Sequence, residues 1–170
     1  MTLGRDWRGE DLTGWLLSEK LDDVRCFCDG STAWTRGGNV IDLPASIRDS
    51  LPKGHRLDGG IWAGRGNFTE ARCAVQFNHW TPACRFICYD SPDTAGTWPQ
   101  RMAEVSKHYH ECVSFTVFKS VRHANAMLRD IQQTGLNMIG YPPPPPTMTR
   151  NLFTATPTNG GLLPYRLICN

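Results

Sequence analysis

Five consecutive prolines, Pro142 to Pro146, interrupt the chain. Proline fixes its own φ angle and lacks a backbone N–H, so no helix can cross this stretch, which is predicted to form a polyproline II rod. The residues that follow, TMTRNLFTATPTNGG, are rich in Thr, Asn and Gly. The sequence therefore predicts a folded core over residues 1–141 and a proline-rich C-terminal segment over residues 142–170.

The proline rod has two interpretations. It could bind a protein partner such as an SH3 or WW domain, since these domains recognise polyproline II ligands. No Arg or Lys directly flanks the run, however. A surface spacer is therefore the favoured interpretation, and a protein partner is the alternative.

The composition is that of one folded domain. The chain has 170 residues, of which 40% are hydrophobic and six are Trp; a chain of this length can bury about 70% of its unfolded surface. This content, with no heptad or Gly-X-Y period, excludes disorder, coiled coil and collagen. No apolar run approaches the roughly 18 residues of a membrane span, and no signal-peptide core is present. We therefore expect a soluble, cytoplasmic protein without a membrane partner.

The seven cysteines and the net charge say little about partners. An odd number of cysteines at CxC and CxxxC spacings fits neither a disulfide framework nor paired CxxC zinc ligands. We expect reduced thiols that pack as small hydrophobic side chains. The formal net charge of +2 permits a basic groove for nucleic acid but does not demonstrate one.

Apolar periodicity and turn residues predict an irregular alternation of strands and helices. SEKLDDVRCFCDG is predicted to be one strand that ends at a turn at Asp29 and Gly30, with STAWTR as its hairpin partner. Further strands are predicted in RLDGGIWAGRG, CRFICYD and SFTVFKSV, and helices in LPASIRDSLP, in WPQRMAEVSKHYH from near Pro99, and from His123 to Gln133. ARCAVQF fits either a helix or a strand. The strict βαβ spacing of a parallel sheet is absent, so the sequence predicts an α+β class.

Lys20 and Asp22 form the first candidate for chemistry. If both lie in a strand, their side chains share one face, since side chains alternate with a period of two. That arrangement would place an amine nucleophile beside an acid. A solvated strand face carrying two charges is the alternative that the spacing leaves open.

The order of the surrounding motifs resembles that of ATP-dependent DNA ligases. SEKLDDVR, TRGGN, LDGGIWAGRGNF and FICYDSP follow the order and spacing of the ligase motifs SEKLDGVR, SRxGN, LDGELWxGRGxF and FxVFDxP. The resemblance runs from about Trp15 to Pro92, more loosely to Pro142, and is strongest with the minimal bacterial and phage-type ligases. It implies a nucleotidyltransferase fold, in which two antiparallel sheets flanked by helices hold ATP.

The resemblance also implies roles for individual residues. Lys20 stands where the ligase nucleophile attacks the α-phosphate of ATP and becomes lysyl–AMP, and Asp58 stands at a metal-associated carboxylate. Tyr89 stands where an aromatic ring stacks on adenine. The positions implied to bind the nucleotide are Glu19, Asp22, Arg25, Arg36 and Tyr89. ATP and Mg²⁺ are the implied cofactors, and nicked double-stranded DNA is the implied partner.

Several motif positions depart from the ligase pattern. Asp23 replaces the Gly of KLDG, and Gly60 replaces the Glu of LDGE, a carboxylate expected to bind the ribose or the metal shell. Thr134 stands where the family has a metal-associated Glu. Thr154 and Thr156 align with two phosphate-binding lysines.

These departures predict impaired catalysis. Amine attack requires an uncharged lysine, and losing two lysines while gaining Asp23 favours the charged form. Lys119 or Arg150 could replace the missing cations from nearby. Minimal ligases carry an OB-fold after the last lysine motif, whereas 14 residues (170 − 156) follow Thr156 here, so no OB-fold domain is expected. The sequence thus predicts a ligase-like adenylation domain for nick sealing, with an inactive relative retained for nucleotide or DNA binding, or for regulation, as the alternative.

Overall fold

A computed structural model of the chain describes residues 4–6, 11–120, 122–123, 125–127, 129, 138–141 and 166–169. The strands and helices are, in chain order, β1 (Gly4–Asp6), β2 (Leu16–Glu19), β3 (Val24–Cys28), β4 (Ala33–Thr35), β5 (Val40–Ile41), α1 (Ala45–Arg48), β6 (Leu57–Trp62), α2 (Phe68–Phe77), β7 (Arg85–Asp90), α3 (Trp98–Val105), β8 (Thr116–Val117), β9 (Met138–Tyr141) and β10 (Arg166–Cys169). The chain forms two compact units, which are Leu21–Val113 and the pair of flanking segments Met1–Lys20 and Ser114–Asn170.

The unit formed by the flanking segments contains a five-stranded sheet in the order β1-β10-β9-β2-β8. All its pairs are antiparallel except β1 with β10. Leu16, Leu17 and Phe118 are almost fully buried within it. Because β10 pairs with β9, part of the segment predicted as a C-terminal tail lies in the same sheet as β2. The domain boundary after residue 141 stays a prediction.

The unit Leu21–Val113 contains a second five-stranded sheet, in the order β5-β4-β3-β6-β7, and every pair in it is antiparallel. Successive side chains point to opposite faces of this sheet, and in β6 and β7 both faces are covered, since five consecutive residues of each strand are buried. The side chains with almost no exposure on one face are Cys26, Cys28, Leu57, Ile61, Phe86 and Cys88. Helix α2 packs on β3 and β6, and α3 packs on β7.

Helix α3 has a clear start signal in the sequence. Gln100 Oε1 accepts a hydrogen bond of 2.8 Å from the Thr97 backbone N–H, which satisfies a donor at the helix start. Pro99 lies in the first turn, where its missing N–H is not needed. The predicted helix from near Pro99 is confirmed, and its residues Trp98, Met102 and Val105 are buried.

The other predicted elements have mixed outcomes. The hairpin formed by β3 and β4, the short helix α1 and the strands β6 and β7 are confirmed, and ARCAVQF lies in helix α2. SFTVFKSV contributes a strand of two residues, β8. Residues 122–123, 125–127 and 129 are helical, as predicted from His123 onward. The remainder of that helix, the proline run, Thr134, Thr154 and Thr156 lie outside the described residues.

The prediction of one strand through SEKLDDVRCFCDG is wrong. The segment forms two strands, β2 and β3, that belong to different sheets and are separated by residues 20–23. Four of the five residues from Glu19 to Asp23 are charged, so no alternation exists that could bury one face there. None of the described helices has the length and apolarity that crossing a bilayer demands.

Candidate functional site

Residues predicted to bind the nucleotide share one face of the sheet in the unit Leu21–Val113. Arg25 of β3 lies opposite Gly60 of β6, and Phe27 lies opposite Asp58. Directly paired residues point to the same face, so Arg25 and Asp58 project away from the face that buries Cys26. Asp58, Gly59 and Gly60 all lie within β6.

Arg25 and Asp58 form a two-point ion pair on this face. Arg25 Nε donates to Asp58 Oδ1 at 2.5 Å, and Arg25 Nη2 donates to Asp58 Oδ2. The side chains are 14% and 8% exposed, so the pair is largely shielded from solvent. Burial disfavours the charge on Arg25, but attraction to Asp58 and Asp23 outweighs it, so the pKa of the guanidinium is raised. A fork-shaped pair of this kind fixes the guanidinium plane.

Tyr89 completes the group. The guanidinium carbon of Arg25 lies 5.5 Å from the centroid of the Tyr89 ring, within range of a cation–π interaction. The Trp98 indole N–H donates to the Tyr89 carbonyl at 2.7 Å, which ties this end of β7 to α3. The structure therefore brings together an aromatic ring, a guanidinium and a carboxylate from three neighbouring strands.

The other predicted residues lie elsewhere. Arg36 is exposed in the turn between β4 and β5, and Asp22 is exposed before β3. Glu19 is the last residue of β2, and Lys20 follows it; both are half-buried. Because neither Lys20 nor Asp22 lies in a strand, the expectation that alternation places them on one strand face is wrong.

A divalent cation is not held by the described side chains alone. Among them no group of three or more His, Cys, Asp or Glu residues is arranged to ligate a metal. Asp58, the predicted metal carboxylate, has both oxygens engaged by Arg25. Mg²⁺ commonly uses one or two carboxylates together with substrate phosphates, so any metal site here would depend on the substrate. The described residues do not fit a preformed metal centre.

The cysteines of the described chain match the expectation of reduced thiols. Six are free: Cys26, Cys28, Cys73, Cys84, Cys88 and Cys112. Burial, with the nearby charges of Asp58 and Asp23, raises the pKa of the Cys26 thiol. Cys26 lies on the face of β3 opposite the ion pair.

One ion pair was missed by the sequence interpretation. Arg101 of α3 donates from Nε and Nη2 to the two oxygens of Asp90, at 2.7 and 2.8 Å. Both side chains are buried. The sequence does contain a signal for this pair. Arg101 lies beside Met102 on the face of α3 that the periodicity predicts to be apolar, and a buried cation requires a partner of opposite charge.

Comparisons with known proteins agree with the motif order. No family model matches the chain. The DNA ligase of Haemophilus influenzae is 28% identical over 108 residues, which are 62% of this chain and 40% of that protein. A solved structure of a Lig E DNA ligase, described as binding DNA with a minimal scaffold, gives a TM-score of 0.69 at 23% identity. The Chlorella virus DNA ligase-adenylate gives a TM-score of 0.66 at 15% identity.

The chain has the fold of a DNA ligase adenylation domain. The predicted α+β nucleotidyltransferase fold and the predicted resemblance to minimal DNA ligases are therefore confirmed. Each solved structure matches 84% of this chain, and the chain covers 61% of the Lig E structure and 59% of the viral one. It thus spans less than two thirds of each of the three proteins.

Proposed function

We propose that this DNA ligase-like chain binds ATP and transfers AMP to Lys20, as the first step of sealing nicks in double-stranded DNA. The observation that carries the proposal is the convergence of Arg25, Asp58 and Tyr89 on one face of the sheet. These residues come from three separate motifs, and each is a position that the resemblance links to the nucleotide or its metal.

The chemistry follows from the residue types. The Tyr89 ring would support adenine by stacking, and Arg25, held in place by Asp58, would orient the sugar and phosphate portion. The uncharged Nζ of Lys20 would attack the α-phosphorus, forming a P–N bond as pyrophosphate leaves with the electrons of the broken P–O bond. Mg²⁺, if recruited with ATP, would supply charge neutralisation of the phosphates. Asp58 is the described side chain proposed to assist it.

A second candidate is an inactive relative that keeps the surface for nucleotide or DNA binding, or for regulation. The engagement of Asp58 by Arg25 favours it, because a carboxylate that already accepts two charged hydrogen bonds is a weakened metal ligand.

Adenylation with labelled ATP separates the two candidates. The chain is incubated with α-labelled ATP and Mg²⁺ from pH 7 to about 9, and the acid-stable adduct is measured. We expect an adduct that increases with pH, is lost in Lys20→Ala and is retained in Lys53→Ala, a matched change at an exposed lysine. Absence of the adduct at every pH would refute enzymatic adenylation.

DNA binding tests the later steps. We expect binding to nicked duplex that weakens steeply with salt, because contacts to phosphate release counterions. A nick-sealing gel would then measure ligation. Binding without adenylation would support the inactive relative. Roles in DNA repair or replication, a bacterial or phage origin, a cytoplasmic location and a protein partner at the proline run are further parts of this proposal.

A further inference from the structure

Two of the altered motif positions, Asp23 and Gly60, contact each other. A Cβ atom built at Gly60 would overlap the Asp23 carboxyl group and would lie 3.1 Å from the Asp23 Cβ. All three of the atoms nearest to that Cβ belong to Asp23. The Asp23 carboxyl group therefore occupies the volume that any side chain at position 60 would have to enter.

The backbone conformation at position 60 does not require a glycine. Gly60 lies inside β6, directly opposite Arg25 of β3. Its φ is outside the positive range that favours glycine, so its backbone would accept any L-residue. The requirement for glycine at this position comes from the space that Asp23 takes.

The same contact keeps a second acid near Arg25. Asp23 attracts the charge of Arg25, as does Asp58, which accepts two hydrogen bonds from the guanidinium. Two carboxylates and one guanidinium leave one net negative charge. A carboxylate has about four acceptor positions, so Asp23 can accept a ligand hydroxyl in addition to its contacts within the protein.

From these contacts we propose that Asp23, in the segment that leads into β3, supplies the carboxylate that the Glu of the LDGE motif would supply at position 60. Relative to the ligase motifs, an acid and a glycine have changed places between β6 and the segment that leads into β3. Asp23 then accepts a hydrogen bond from a sugar hydroxyl of the nucleotide, beside Arg25 and Tyr89. The ligand named here rests on the proposed function, whereas the shared volume of Asp23 and Gly60 does not.

Thermal unfolding of the full chain tests the shared volume. Gly60→Ala should lower Tm by about 3–10 °C, because the new methyl group forces Asp23 out of its position. In the Asp23→Gly background the same change should lower Tm by no more than about 2 °C. Gly37→Ala is the matched control, since its Cβ would have no neighbour nearer than 3.8 Å. Equal losses in both backgrounds would overturn the exchange.

Ligand discrimination tests the carboxylate. Asp23→Asn keeps the shape and removes the charge, and Asp49→Asn is an exposed control. We expect the wild type to bind ATP at least about tenfold more tightly than 2′,3′-dideoxy-ATP, and Asp23→Asn to reduce this ratio below about threefold with little change in Tm. The double variant Asp23→Gly with Gly60→Glu should restore the ratio.

The outcomes separate the two proposals. An unchanged ratio in Asp23→Asn, or no recovery in the double variant, would overturn the role of Asp23 while leaving ATP binding intact. No ATP binding by the wild type would refute the proposed function and the ligand role together, and the Tm series would then still decide whether the two positions share one volume.

Discussion

Replacing Arg101 with Met should leave the buried carboxylate of Asp90 without its charged partner. Arg101 holds both oxygens of Asp90, and its Nη1 donates to the Gly96 carbonyl at 2.9 Å. The side chains of Arg101 and Asp90 are 7% and 4% exposed. Met preserves much of the apolar stem but removes every donor, which leaves Asp90 with the backbone N–H of Ser91.

The expected loss follows from the burial of the pair. Removing one partner of a buried ion pair costs about 3–5 kcal/mol, because the other charge stays buried. We therefore expect Arg101→Met to lower the free energy of unfolding by about 4 kcal/mol at pH 7.

Urea unfolding at pH 7 measures this loss, with the wild type as the reference. Adding Asp90→Asn to Arg101→Met should recover most of the loss, because the amide is uncharged and still accepts the Ser91 N–H. A loss below about 1 kcal/mol, or no recovery in the double variant, would show that the pair does not stabilise the unit in this way.

Three further experiments test other contacts. Gly59→Ala places a methyl group against the Ile87 carbonyl oxygen and 2.6 Å from the Phe86 ring, and should lower the free energy of unfolding by about 1–3 kcal/mol, whereas Gly37→Ala should be nearly neutral in the same urea assay. Iodoacetamide should modify Cys112 before Cys88, because the interaction of the two thiols lowers the pKa of Cys112 and, with burial, raises the pKa of Cys88, which is fully buried; equal rates by peptide mapping would contradict this. Tyr89→Ala should weaken ATP binding about tenfold and Tyr89→Phe less than about threefold, measured by calorimetry.

Local patterns predicted the strands that are bounded by turn residues. β3 and β4 are joined by a turn at Asp29 and Gly30, and β6 and β7 each carry a run of buried residues bounded by turn residues. The break between β2 and β3 was missed because β2 pairs with Met138–Tyr141, which is far away in the sequence. A period-two pattern gives the faces of a strand but not the sheet to which it belongs.

The candidate site shows the same division. Motif order pointed to Arg25, Asp58 and Tyr89 individually, and the antiparallel register of β3, β6 and β7 explains why they meet. The ion pair between Arg25 and Asp58 could not be predicted, since the resemblance assigned Arg25 to the nucleotide and Asp58 to the metal. Such a pairing depends on side-chain positions across strands rather than on spacing along the chain.

The contact between Asp23 and Gly60 changes how the altered motifs should be counted. In the sequence, Asp23 and Gly60 are two separate departures from the ligase pattern. Asp23 adds an acid near the nucleophile, and Gly60 removes the acid of LDGE. In the structure the added acid fills the space of the missing one, so each substitution accounts for the other. With Asp23 in the proposed role, the site loses no carboxylate at this point. Impaired catalysis must then be argued from the engagement of Asp58 by Arg25 and from the departures at Thr134, Thr154 and Thr156. Because interacting substitutions are not additive, a motif count made position by position overstates the damage.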